Sequence, residues 1–227
     1  MRKIRQMVQP EIDGLYAVTP DVANSTNLDM MTREVLSGGA RLIQYRNKSA
    51  NIALRLEQSR LLSHLCRKLN VLFIVNDHPD LAAEAGADGV HLGQEDAPVT
   101  EARRKLGPGK IIGVSCHDQL ELAVEAERQG ADYVAFGAFY ISSTKPGAMA
   151  APIDLLHHAK RKLHIPVVAI GGITSNNAME LIHAGAHAVA VSNALFGARN
   201  IRAAAESFSR LFKQPSALLS SSLWAIK

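Results

Sequence analysis

A chain of 227 residues with 47% apolar content can bury a substantial core in a single domain, and no stretch approaches the ~20 uninterrupted apolar residues of a membrane span. The formal charge of +4 is modest, and its only basic runs, Arg103-Arg104-Lys105 and Lys160-Arg161-Lys162, sit near helix ends, where cations complement the dipole. That balance argues against a nucleic-acid surface and suits a small anionic substrate. Cys66 and Cys116 lack metal-ligand spacing, and the basic segment MRKIRQMVQPEIDG has no apolar run behind it, so the expectation is a cytoplasmic protein with reduced thiols.

Apolar runs recur along the chain: GLYAVT at 14–19, RLIQYR, VLFIV at 71–75, DGVHLG, KIIGVS at 110–115, DYVAFG, IPVVAIGG at 165–172 and HAVAVS. Helical patterns separate them, at roughly 28–37, 52–68, 79–85, 98–106, 118–129, 152–163, 175–184 and 200–213. Gly39, Gly86, Gly130 and Gly185, each followed by alanine, close helical patterns ahead of a strand. Pro79, Pro98 and Pro152 stand near helix starts, and Asp118 and Ser175 are expected caps. Strands too apolar to face water, alternating with helices eight times, describe a parallel (β/α)8 barrel of the TIM type over residues 14–213. Residues 1–13 form an N-terminal extension and 214–227 a C-terminal tail. A doubly wound open sheet is disfavoured, because no G-x-G-x-x-G follows the first strand.

The segment VLFIVNDHPDLAAEAGADGVHLGQED at 71–96 organises the functional reading. It is a strand–helix–strand unit with an acid after each strand. A right-handed crossover makes the strands parallel and brings Asp77 and Asp96 to one edge. Two such carboxylates can share a hard cation, typically Mg²⁺ with phosphate oxygens completing its shell. The plainer alternative is that each aspartate caps the helix that follows it.

Active sites of this fold are built at the C-terminal ends of the strands. Those ends carry Gln44, Tyr45, Arg46, Asn47 and Lys48; Asn76 and Asp77; Gln94, Glu95 and Asp96; Ser115; Ser142, Ser143, Thr144 and Lys145; Gly171 and Gly172; and Ser192 and Asn193. Arg46 and Lys48, two apart, point the same way on an extended end, and Lys145 adds a third cation for phosphate. Gly171-Gly172 offer a backbone nest before a helix. No strand end offers a nucleophile with its base: Cys116 lacks an assigned histidine, His91 reads as a core or supporting residue, and Lys145 beside hydroxyls reads as a charged ammonium rather than a Schiff-base lysine. Departure of a pyrophosphate, drawn off by metal and cations, is the chemistry that remains.

These residues resemble a known family. QYRNK at 44–48, VNDHPDLAAEAGADGVHLGQED at 75–96, GVS at 113–115, TKPGA at 144–148 and AIGGI at 169–173 are similar, in order, to thiamine-phosphate synthase. The resemblance implies an enzyme that joins 4-amino-5-hydroxymethyl-2-methylpyrimidine diphosphate to thiazole phosphate, releasing pyrophosphate before the thiazole nitrogen attacks. It implies that Gln44 to Lys48, Asn76, Ser115 and Lys145 hold the diphosphate, with Arg46, Lys48, Ser115 and Lys145 nearest the chemistry. It further implies that Asp77 and Asp96 bind Mg²⁺, and that Ser142 to Thr144, Gly172 and Ser192-Asn193 hold the thiazole phosphate. The chain departs from the family pattern at Ile141-Ser142, where Pro-Thr is usual, and at Ser192-Asn193, where an aliphatic residue and serine are usual. The sister thiazole tautomerase lacks the acidic pair, and a non-catalytic phosphate-binding barrel would not keep every strand-end charge. Expected partners are small phosphorylated molecules, with neither nucleic acid nor membrane; a homo-oligomer stays open.

Overall fold

Each of the eight apolar runs forms a strand: β1 Gly14–Val18, β2 Leu42–Tyr45, β3 Leu72–Asn76, β4 Gly89–Leu92, β5 Ile111–Ser115, β6 Tyr133–Phe136, β7 Val167–Ile170 and β8 Ala188–Val191. The computed structural model of the chain describes residues 11–140 and 150–213. Within them the strands pair in parallel and in sequence order, and β8 returns to β1 to close the barrel. The expected (β/α)8 architecture is the one observed.

The helices are α1 Ser25–Ser37, α2 Ile52–Lys68, α3 Pro79–Glu84, α4 Val99–Leu106, α5 Leu120–Arg128, α6 Asp154–Lys162, α7 Ala178–Ala184, α8 Asn193–Phe196 and α9 Ile201–Leu211. Asparagines start three of them: the side chains of Asn24, Asn51 and Asn200 accept the N–H groups of Asn27, Leu54 and Ala203 at 2.8, 2.9 and 2.9 Å. The Asn24 cap is why α1 begins at Ser25, earlier than the apolar spacing suggests. Asp118 and Ser175 do not cap. The N-cap of α5 is Gln119 and that of α7 is Asn177, whose amide oxygen instead accepts from Thr174 N–H at 2.8 Å. The short α8 has no apolar period of its own, so the sequence pattern passed over it.

Strand alternation divides the core in two. One set of side chains packs outward against the helices, including Ile43, Phe73, Val90, Val134 and Val189. The other fills the barrel: Tyr16, Leu42, Ile74, Ile111, Tyr133, Val168 and Ala188. Ile12, which sequence alone leaves in an N-terminal extension, is 4% exposed within that interior set. Tyr133 needs more room than a packed barrel provides, and Gly113 on the neighbouring strand supplies it. A Cβ there would lie 2.0 Å from the Tyr133 ring. Gly113→Ala should therefore destabilise the protein by about 1–3 kcal/mol or more by overpacking, read as a lowered midpoint in chemical denaturation.

Candidate active site

The alternation that sorts the core also sorts the strand ends. Gln44, Asn76, His91 and Ser115 share the inward phase of β2 to β5, as the pairs Ile74↔Gly89 and Asn76↔His91 locate them. Tyr45 and Asn47 have the opposite phase, so their polar ends turn toward α2, while both residues still border the barrel mouth. The Tyr45 hydroxyl, on a side chain 2% exposed, donates to Gln58 Oε1 at 2.9 Å. The Asn47 amide donates to Val22 O at 2.8 Å and Gln58 Oε1 at 3.0 Å. They anchor the loop to α2; Arg46 and Lys48 between and beyond them reach the barrel mouth.

A cleft of about 210 Å³ opens there, lined by Tyr45, Arg46, Asn47, Lys48, Asn76 and Asp77, together with Arg55 and His78. Thr19 clamps the Arg46 backbone, accepting from its N–H at 2.9 Å and donating to its carbonyl at 3.0 Å. Asp21 lies 3.5 Å from the Arg46 guanidinium and accepts from Lys48 N–H at 3.0 Å. Arg55 donates to the carbonyls of Asn47 and Lys48, each at 3.1 Å, and its Nη1 meets His78 Nε2 at 2.9 Å. The sequence reading missed Thr19, Asp21 and Arg55. One signal was available: a cation in the first turn of α2 opposes the helix dipole and calls for a reason. That reason is the loop it holds.

Neither aspartate of the pair caps a helix. The N-caps of α3 and α4 are His78 and Pro98, without side-chain capping bonds. Asp77 adopts a left-handed backbone, φ 63°, which bends the chain out of strand alternation. Its carboxylate then lies 3.8 Å from Lys48 Nζ. Asp96 folds back within its own turn to accept from Gly93 N–H at 2.6 Å. Burial, then the adjoining Asp96 carboxylate, raise Asp77 above the ordinary carboxylate value, while Lys48 and His78 pull the other way. Two carboxylates this close call for a proton or a cation between them.

Below the mouth, polar groups cross the barrel in a line. Gln44 Nε2 donates to Tyr16 Oη at 2.9 Å, and Tyr16 Oη meets Tyr133 Oη at 2.8 Å. Tyr133 Oη meets His91 Nδ1 at 2.9 Å, and His91 Nε2 meets Ser115 Oγ at 2.9 Å. The His91 and Tyr133 rings stack, with centroids 5.5 Å apart. Burial drives His91 down to about 4 and raises both phenols, so all three rings are neutral near pH 7. His91 is thus a supporting residue behind Ser115, one of the two roles its position suggested. Burial pushes the Cys116 thiol up to about 12, which removes it as a nucleophile.

On the far side of the barrel, Gly171 and Gly172 have φ of 100° and 65°. A Cβ on Gly172 would lie 2.5 Å from Tyr140 O, so this backbone reaches the loop after β6 only as glycine. Ser192 precedes α8, a short helix in the place where this fold often binds phosphate. The Asn193 amide oxygen lies toward the C-terminal end of α8, 2.9 Å from where a Gly197 Cβ would stand. Ser142, Ser143, Thr144 and Lys145 lie outside the described residues.

Residues 15–195 match the family model described as thiamine monophosphate synthase. The chain belongs to that family. It is 61% identical over 206 residues, 91% of its length and 88% of the relative's, to the thiamine-phosphate synthase of Nitrosospira multiformis. It is 54% identical over 211 residues to that of Nitrosomonas eutropha, spanning 91% of this chain and 100% of the relative. Among solved structures it resembles a thiamine phosphate pyrophosphorylase from Pyrococcus furiosus, with a TM-score of 0.81 and 36% identity over 90% of this chain and 97% of the other. Among the described residues, no helix is long and apolar enough to cross a membrane.

The strained Asp77 backbone separates its two roles. Asp77→Asn keeps a side chain that tolerates φ 63° and should leave stability unchanged or slightly raised, since one of two repelling carboxylates is gone. Asp77→Ala should cost about 1–2 kcal/mol for the same backbone, measured by urea denaturation without added metal.

Proposed function

We infer that this chain is an enzyme that condenses the pyrimidine diphosphate with thiazole phosphate to give thiamine phosphate and pyrophosphate. The observation that carries the reading is Asp77, beside the Asp96 carboxylate, sharing one cleft with Arg46 and Lys48, in a chain 61% identical to a protein named for that activity. The reaction needs a diphosphate to leave and a ring nitrogen to attack, and neither step asks the protein for a nucleophile.

Arg46 and Lys48 would grip the diphosphate oxygens, the guanidinium in bidentate fashion and the ammonium as a point charge. Asp21 and the Thr19 clamp fix Arg46 in advance, so little ordering is left for the moment of binding. Gln44, Asn76 and Ser115, on the inward phase, would contact the pyrimidine diphosphate from below. Gly172 and Ser192 would hold the thiazole phosphate, together with Ser142 to Thr144; Lys145 would join Arg46 and Lys48 on the diphosphate.

The acidic pair suits Mg²⁺: two hard oxygen donors, one of them raised by its neighbour, with room for substrate oxygens to complete the shell. Bound there, the ion would stabilise negative charge gathering on the departing pyrophosphate. A cytoplasmic location fits the same reading, since Cys66 and Cys116 are both free and buried.

The test is direct. Purified protein incubated with both substrates should form thiamine phosphate and pyrophosphate, seen by chromatography, only when Mg²⁺ is present. Asp77→Asn should lose most of that activity and the Mg²⁺-dependent rise in Tm that a ligand of the folded state confers. Product formation by Asp77→Asn in EDTA at the unaltered rate would overturn the metal assignment.

A further inference from the structure

The polar line through the barrel interior has a direction. Tyr16 Oη is buried with two partners in reach, Gln44 Nε2 at 2.9 Å and Tyr133 Oη at 2.8 Å. The first is a donor, so among the described residues the only acceptor for the Tyr16 proton is Tyr133. Tyr133 already receives from Tyr16, and its own proton must go to His91 Nδ1 at 2.9 Å. An imidazole that accepts at Nδ1 carries its proton on Nε2, and Nε2 donates to Ser115 Oγ at 2.9 Å. Ser115 thereby has one of its acceptor positions filled and keeps its own O–H.

A protonated His91 would break this order. It would donate to Tyr133, which would then have to donate to Tyr16, leaving the Tyr16 proton aimed at the Gln44 N–H. The line is consistent only with a neutral, Nε2-protonated ring.

We propose that Gln44, Tyr16, Tyr133 and His91 form a one-way hydrogen-bond relay that orients the Ser115 hydroxyl as a donor into the barrel mouth, with Tyr133 and His91 as positioning residues. The proposal rests on the reading that Ser115 contacts the substrate diphosphate. Its use there is specific. Oxygens of a departing pyrophosphate gain negative charge, and a hydroxyl already committed as donor stabilises that charge without reorganising. Were the imidazole in its other tautomer, Nε2 would accept, Ser115 would turn its proton inward, and only lone pairs would face the substrate. The interior is built around this arrangement: Gly113 leaves space for the Tyr133 ring, whose hydroxyl would lie 2.4 Å from an added Cβ.

Two measurements separate the relay from the substrate reading. First, long-range ¹H–¹⁵N correlation spectra, with His91 assigned by its loss in His91→Gln, should show His91 protonated at Nε2 alone. In Tyr133→Phe, which keeps the ring and removes the hydroxyl, the Nδ1-protonated form should become populated. A wild-type ring protonated at Nδ1 would overturn the relay whatever the kinetics.

Second, Ser115→Ala should lower kcat on the order of 10²-fold with a small change in KM. Tyr133→Phe should lower kcat in the same way, and the double variant should be no slower than Ser115→Ala alone, because both remove one donor. His91→Gln, whose amide N–H can replace Nε2–H, should recover part of the rate lost in His91→Ala. Multiplicative effects in the double variant, with Tm unchanged, would mean that Tyr133 acts elsewhere and would overturn the relay alone. Wild-type kinetics in Ser115→Ala would instead remove Ser115 from the substrate site, and the functional part of the proposal with it.

Discussion

Inside a closed parallel barrel only every second residue of a strand can put its side chain into the interior, and the others must pack against helices. This constraint decides which groups at the strand ends can meet a substrate. It sends Gln44, Asn76, His91 and Ser115 inward and sends Tyr45 outward, where its hydroxyl finds Gln58 on α2. It also gives the exceptions their meaning. Asp77 reaches the mouth only because its backbone leaves the strand at φ 63°, a conformation that costs energy in any non-glycine residue. The carboxylate is held where a cation and a diphosphate would need it, not where the sheet alone would put it.

The interior phase carries a second cost. Two tyrosines, a glutamine and a histidine sit where TIM barrels usually place aliphatic layers. Each would be expensive to bury unpaired, and each is paired with the next, from Gln44 through to Ser115. Buried groups satisfied by one another leave few alternative arrangements, which is what a site needs when it must present a hydroxyl in one orientation. The bottom of the barrel is conventional by comparison: Ile12, Leu42, Ile111 and Ala188 close it.

The architecture was legible because its signals are local. Eight apolar runs, glycines before alanines and polar clusters after strands recur often enough to state the barrel and its active edge. The acidic pair was legible for the same reason, as two aspartates at successive strand ends. What escaped depends on phase or on distance in sequence. Whether Tyr45 or Gln44 faces inward turns on a single residue of register, which β-branched runs do not reveal. Thr19 and Asp21 act on a loop more than twenty residues away, and Arg55 reaches it from a helix. His91 could be recognised as a histidine within a strand, but its partners come from two other strands. Asn24 and Asn200 were hidden among ordinary loop residues until their side chains met the helix N–H groups.

The central claim is that strand phase and the bent backbone at Asp77 assemble one diphosphate-and-metal site from β2, β3 and β4. It is tested most directly by anomalous diffraction from crystals grown with Mn²⁺, as a Mg²⁺ substitute, and pyrophosphate. The account predicts a single manganese peak in contact with carboxylate oxygens of both Asp77 and Asp96, bridged to a pyrophosphate that touches Arg46 and Lys48. A manganese peak that leaves these two aspartates free, with pyrophosphate held elsewhere on the barrel, would contradict it.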